Sequence, residues 1–329
     1  MKVLITGSSG FVGSHMAVEL KARGYEVMGL DVRHGEHTTH QMDAVGWLRM
    51  DKEEVATYGV DFHWDLVVHA AYHVGGRAMI DGVPDVLSAN VELDAALFRW
   101  ALEARPGRIL YFSSSAVYPT WLQRACLNCT EPNCPEGPAI LHEDHVNLTA
   151  DRIGVPDARY GWAKLNGEML VKAARESGLQ VSVVRPFSGY SHSQSLDYPF
   201  PSIIARARTG DLSVWGKPGQ TRDWIHIDDV TKGALAVAKS GTTDPVNLCT
   251  GIGTEMGNLA QMIYDREKNN TVLELLPCLD YTGEPGMAVT YLTDKPTGVH
   301  YRVGNPERML KYYTPQISLS QGIEEALSR

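Results

Sequence analysis

Short apolar runs alternate along this chain with longer stretches of helical period. Residues 3–5 (VLI) form a strand-like run, residues 12–22 carry a helical pattern, and residues 26–31 form a second strand-like run. Together they open a β-α-β unit. Further strands are expected at 66–68, 109–112 and 181–184, with helical stretches near 90–103 and 160–176 between them. Such repetition predicts an α/β fold: a parallel, doubly wound sheet with helices on both faces. From about Phe187, Gly, Pro and Ser loosen the pattern. A smaller C-terminal α/β substrate domain over the sheet's carboxyl edge is expected there. The first domain is expected over 1–186, with 219–242 returning to it as a strand-like WIHI and a helical DDVTKGALAVAK. The second takes 187–218 and 243–329.

Of 329 residues, 43% are hydrophobic and 21% charged, which suits a full-sized core and neither a disordered nor a fibrous chain. No apolar stretch approaches the roughly 18 residues of a membrane crossing, and MKVLITGSSGF lacks the order of a signal peptide. A soluble cytoplasmic protein is expected. There are 30 basic and 39 acidic residues, a net charge of -9, and no Lys/Arg run, so neither nucleic acid nor a membrane surface is an expected partner. Five cysteines, an odd number, do not suggest a disulfide framework.

The glycines of TGSSGFVG, Gly7, Gly10 and Gly13, stand directly after the first strand and at the start of the first helix. In that context they permit a tight turn and close approach of a pyrophosphate to backbone N–H groups, with Phe11 and Val12 in the same loop. Asp31 ends the second strand, where a carboxylate accepts hydrogen bonds from an adenosine ribose; this favours NAD. Arg33 and His34 follow, and offer the alternative of meeting a 2′-phosphate. Asp51, after the expected third strand, is a candidate for the adenine edge, with a solvated loop carboxylate as the alternative.

Tyr160 and Lys164 in YGWAK share one helix face at i, i+4 spacing. A phenol titrates near ~10, too high for a base at neutral pH, and a neighbouring ammonium together with an oxidised nicotinamide would lower it. Ser113, Ser114 and Ser115 end the preceding strand and offer a hydroxyl to the same substrate oxygen.

TGSSGFVG, HAA at 69–71, SSSAVY at 113–118 and YGWAK together resemble the extended short-chain dehydrogenase/reductase superfamily in its nucleotide-sugar epimerase/dehydratase branch. The likeness implies a Rossmann-type fold, with Ala70, Ala71 and Pro186 along the cofactor. Tyr160 is implied as the base, Lys164 as the holder of the nicotinamide ribose, and Ser114 as the hydroxyl partner, with Ser113 or Ser115 as fallback. Arg222, in GKPGQTRDWIHIDDV, and Arg302 match diphosphate arginines, while Asn90 is implied either to support the active-site backbone or to touch the sugar. Gly75, Ser115 and His192 complete the implied substrate set, and His145 is a second histidine candidate beside the sugar.

Departures narrow the chemistry. Dehydratases of the branch carry Asp-Glu where this chain has Ser115 and Ala116, and decarboxylases carry Glu at the second position. VGG at 74–76, Tyr118-Pro119 and KPTG at 295–298 look most like GDP-fucose synthase and GDP-mannose 3,5-epimerase, which use a cysteine at the Ala116 position. The resemblance thus implies an NAD-dependent 4-epimerase acting on a UDP-, GDP- or dTDP-hexose. The alternatives are a 4-keto-sugar reductase/epimerase and a catalytically silent NAD-binding subunit. A homodimer is implied as well. No resident metal is expected, although Cys126, Cys129, Cys134 and His142 offer the thiolate and imidazole that zinc takes.

Overall fold

The computed structural model describes residues 1–60, 62–77, 85–124, 138–151, 153–269 and 289–329. The chain runs through β1 (Lys2–Thr6), α1 (Phe11–Ala22), β2 (Glu26–Asp31), β3 (His40–Gln41), α2 (Ala44–Leu48) and α3 (Lys52–Thr57). It continues through β4 (Leu66–His69), α4 (Val86–Ala104), β5 (Ile109–Phe112), α5 (Ala158–Glu176) and β6 (Val181–Pro186). Beyond these lie β7 (Ser188–Tyr190), α6 (Pro199–Arg208), β8 (Ser213–Trp215), β9 (Thr221–His226) and α7 (Ile227–Ser240). The remainder comprises β10 (Val246–Leu248), β11 (Gly253–Glu255), α8 (Met256–Asn269), β12 (Thr290–Leu292), β13 (Tyr301–Arg302), α9 (Glu307–Leu310) and α10 (Leu319–Leu327).

Among the described residues, seven strands form one parallel sheet in the order β10-β6-β5-β4-β1-β2-β3. Successive side chains of a strand point to opposite faces, and the sequence makes both faces apolar. Leu4, Val67, Ile109 and Val183 pack under Trp47 of α2, Leu97 and Trp100 of α4, and Val171 of α5. Their neighbours Val3, Ile5, Val68, Leu110 and Val184 pack under Met16 and Leu20 of α1 and Val230, Ala234 and Val237 of α7. The strand order reverses between β1 and β4, which leaves a crevice at the carboxyl ends.

A second layer is built on β9, which pairs with β7, β11 and β13, and on the two-stranded β8–β12 ribbon. Phe200, Ile203, Trp224, Leu259, Ile263 and Ile323 form its core. The expected return of 219–242 is divided by the structure: α7 covers the large sheet, but β9 is central to the second one. Conversely, β10 belongs to the large sheet, because Val246 and Leu248 are buried along the edge of β6. The layers are therefore interlaced. Buried Asp223 of β9 ties the crossings together, accepting from Thr250 N (2.8 Å), Gly251 N (2.9 Å) and Gly304 N (3.2 Å).

Candidate active site

One cleft of about 1380 Å³ runs between the layers at the carboxyl ends of the parallel strands. A pocket for one ligand spans roughly 300–1,000 Å³, so this cleft has room for two. At one end lies the β1–α1 turn. Gly7 has φ +77°, and a Cβ there would stand 2.6 Å from the Ala71 backbone. Gly13 does not line the cleft; a Cβ on it would fall 2.0 Å from the Gly7 carbonyl, so its lack of a side chain lets α1 close onto the turn. The N-cap of α1 is Gly10, with no side-chain acceptor and no acidic residue in the first turn. The positive end of the helix is thus left to an anion.

Asp31 lines the cleft and is almost fully buried. Its carboxylate accepts from Ser9 N (2.9 Å) and Arg33 N (2.9 Å), while Arg33 Nε lies 3.7 Å away. A carboxylate fixed here suits a ribose diol and would repel a 2′-phosphate. The uncapped helix and this carboxylate together fit NAD, with Phe11, Val12, Ala70, Ala71 and Pro186 on the cleft walls. Asp51 corrects the sequence reading. Its side chain accepts from Glu53 N and Glu54 N at 2.9 Å as the N-cap of α3, and it does not line the cleft. The third strand expected ahead of it is His40–Gln41, followed by the helical run 44–48. Asp43 and Ala44 line the cleft instead.

Ser114, Tyr160 and Lys164 all line the cleft. The Ser114 hydroxyl accepts from Ala116 N (3.1 Å). Ser113 turns away and donates to Glu168 Oε1 (2.5 Å); Glu168 also holds Arg185 (2.7 Å). The Lys164 ammonium donates to the Phe112 carbonyl (2.6 Å) and lies 3.1 Å from the centre of the Tyr72 ring. Burial pushes Lys164 down to about 7, against the pull of Asp94 and Glu168. Burial, then Tyr198, pushes the Tyr160 phenol well above its ordinary value, opposed by Ser114 and Arg302. The Lys164 ammonium is directed at the Phe112 carbonyl and sits 6.0 Å from the Tyr160 ring centre.

Three guanidinium groups gather on the cleft wall beside Asp157, the N-cap of α5. Arg302 donates to Asp157 Oδ2 (2.8 Å) and Gln123 Oε1 (2.7 Å), and Arg77 holds both Asp157 oxygens (2.9 and 3.1 Å). Burial would raise the Asp157 carboxyl, but Arg302 and Arg77 outweigh it and hold it below the usual carboxylate range. Arg222 Nη1 donates to the carbonyls of Thr221 (2.8 Å) and His300 (3.4 Å), and burial and Arg302 push the group down to about 9. Gly75 and Ser115 also line the cleft.

Asn90 does not line the cleft. It accepts from His73 N (2.7 Å) and donates to the His73 carbonyl (3.0 Å), fixing the backbone that does. His192 is a second correction: its Nδ1 lies 3.4 Å from Glu325 of α10, outside the cleft lining, because the turn carrying it faces that helix. His145 Nδ1 accepts from His142 N (3.2 Å), also away from the cleft. Cys126, Cys129 and Cys134 lie outside the described residues.

Residues 3–249 match the sequence profile of the NAD dependent epimerase/dehydratase family. The chain belongs to this family. Among its relatives, the dTDP-4-dehydro-6-deoxy-D-allose reductase of Streptomyces bikiniensis is 27% identical over 276 residues, spanning 79% of this chain and 79% of that protein. GDP-mannose 3,5-epimerase 1 of Oryza sativa subsp. japonica is 27% identical over 292 residues, 84% of this chain and 71% of the other. The solved UDP-glucose 4-epimerase of Thermotoga maritima has a TM-score of 0.76 at 19% identity, over 100% of this chain and 98% of that one. NAD is the cofactor of the epimerase/dehydratase family. Tyr72, Arg77 and Asp157 are site groups of this family member that sequence reasoning missed. Arg77 directly follows the VGG segment, and Asp157 precedes Tyr160 by one helical turn, so both positions carried a local signal.

Proposed function

We propose that this chain is an NAD-dependent nucleotide-sugar 4-epimerase that works through a transient 4-keto sugar. The observation that carries the reading is the convergence of three groups on one cleft: an open helix N-terminus, the set Ser114, Tyr160 and Lys164, and the arginines Arg77, Arg222 and Arg302. Guanidinium groups suit a diphosphate, and the cleft volume leaves room for a second ligand beside the dinucleotide. When bound, NAD supplies the hydride acceptor and donor and a positive charge. Tyr160 Oη takes the sugar 4-OH proton and returns it, Ser114 orients that oxygen, and the Lys164 ammonium favours the phenolate.

Ser115 and Ala116 carry no acid able to expel water from the sugar ring. Asp157, whose N–H bonds to the Ala116 carbonyl (2.9 Å), is held ionised by two arginines and is no proton donor at neutral pH. This supports epimerisation over dehydration. Incubation of the protein and NAD with UDP-, GDP- and dTDP-hexoses, without reductant, is expected to yield a product of unchanged mass and altered retention. Loss of water refutes the reading. The likeness to a dTDP-keto-sugar reductase favours a second reading, reduction of a 4-keto sugar, which consumption of NAD(P)H would identify. We also propose a homodimer through α4 and α5, which leave Leu102, Trp162 and Met169 exposed; light scattering at twice the chain mass is expected.

A further inference from the structure

Behind Lys164 lies a polar cluster, reaching the cleft only through Tyr72, to which the proposed reaction assigns no role. Asp94 of α4 is fully buried, and its Oδ2 accepts from the phenols of Tyr72 (2.8 Å) and Tyr111 (2.8 Å). Its Oδ1 lies 3.2 Å from His69 Nε2 but out of hydrogen-bond alignment, while His69 Nδ1 pairs with Thr6 Oγ1 (2.8 Å). The two phenol rings stand between this carboxylate and the Lys164 ammonium, 3.1 Å and 5.2 Å from Nζ to their centres. Gly167, three residues after Lys164, makes room for the arrangement: a Cβ there would meet Asp94 Oδ2 at 2.4 Å and would overlap the Tyr111 hydroxyl.

A buried carboxylate with a place cleared for it across the helix interface is costly unless it is paired. Besides His69, the cation that faces it is Lys164, reached through the faces of two rings made more electron-rich by donating their O–H to the same carboxylate. We propose that Asp94 is a positioning residue for Lys164, holding the ammonium charged and fixed over Tyr72 from behind the active site. The proposal rests on the active-site reading of Lys164 but not on the identity of the substrate.

The groups facing Lys164 are Asp94 on α4, Tyr72 after β4, Tyr111 on β5, and Glu168 and Tyr160 on its own helix; His69 of β4 faces Asp94. Asp94 and Glu168 both oppose the burial that pushes Lys164 down to about 7. If Asp94 supplies charge, its loss moves the midpoint lower. If it only fills space, the midpoint stays.

The test is a pH titration of the full-length protein labelled with [ε-13C]lysine, with the Lys164 resonance assigned by its absence in Lys164→Met. Asp94→Asn is expected to lower the Lys164 midpoint by about one pH unit or more, a tenfold change in proton affinity. An unchanged midpoint in folded Asp94→Asn overturns the proposal. Should that variant not fold, Tyr72→Phe keeps both charges and cuts the tether. A smaller downward shift in it supports the proposal, and no shift overturns it. The resonance titrates whether or not a sugar nucleotide turns over, so a failed substrate panel and a failed charge relay are read separately.

Discussion

Gly7 and Gly13 belong to one loop but are glycines for different reasons, and substitution should separate them from a glycine that only turns the chain. Gly7→Ala meets both a left-handed φ and the Ala71 backbone; a loss of about 1–3 kcal/mol in thermal unfolding is expected, together with at least a roughly tenfold weaker NAD titration. Gly24→Ala shares the positive φ but meets open space, so about 1 kcal/mol and undisturbed NAD binding are expected. Tyr160→Phe should keep the fold and lose about 10²-fold or more in turnover. Asp157 has a native carboxyl below its unfolded value near 3.8. Its bridges therefore contribute stability fully above that pH and lose it as the pH falls through the lower native value. The stability gap between wild type and Asp157→Asn should accordingly be present at neutral pH and close on acidification below 3.8 in denaturant titrations. Gly7, Asp31, Tyr160 and Lys164 were legible in the sequence because short spacing fixes their geometry. The Arg77–Asp157 contact joins positions 80 residues apart, which no local pattern encodes.

Helix α5 puts three duties on one buried face. Tyr160 and Lys164 face the cleft, and Glu168, one turn further, pairs with fully buried Arg185 while receiving Ser113. The ion pair thus braces the strand end from which Ser114 projects. Glu168→Ala leaves the Arg185 charge buried and unpaired; a loss of about 3–5 kcal/mol in denaturant unfolding is expected. Long elements such as α4 and α5 were readable because their apolar stripe repeats over several turns. The short ones were not. β3 and β13 have two residues each, too few for any period, and run 44–48 is a one-turn helix whose apolar content equally suits a strand.

Across the molecule, the alternation of strand and helix in the first half predicts the large sheet, and the structure has it. The division of the second half follows long-range pairing instead: β10 completes the sheet of β6 after the chain has already built much of the other layer. Residues 1–186 alone would leave the face covered by α7 and β10 open to water. One cooperative thermal transition is expected for the whole chain, and that fragment should show no folded near-ultraviolet signal. The interlacing also bears on time. Because the peptide crosses repeatedly between the two walls, and Asp223 fastens several of those crossings to one another, the walls can flex but cannot swing freely apart. A dinucleotide seated between them should have a long residence, outlasting many arrivals and departures of sugar, as the proposed epimerase, which lends a hydride and takes it back, would require.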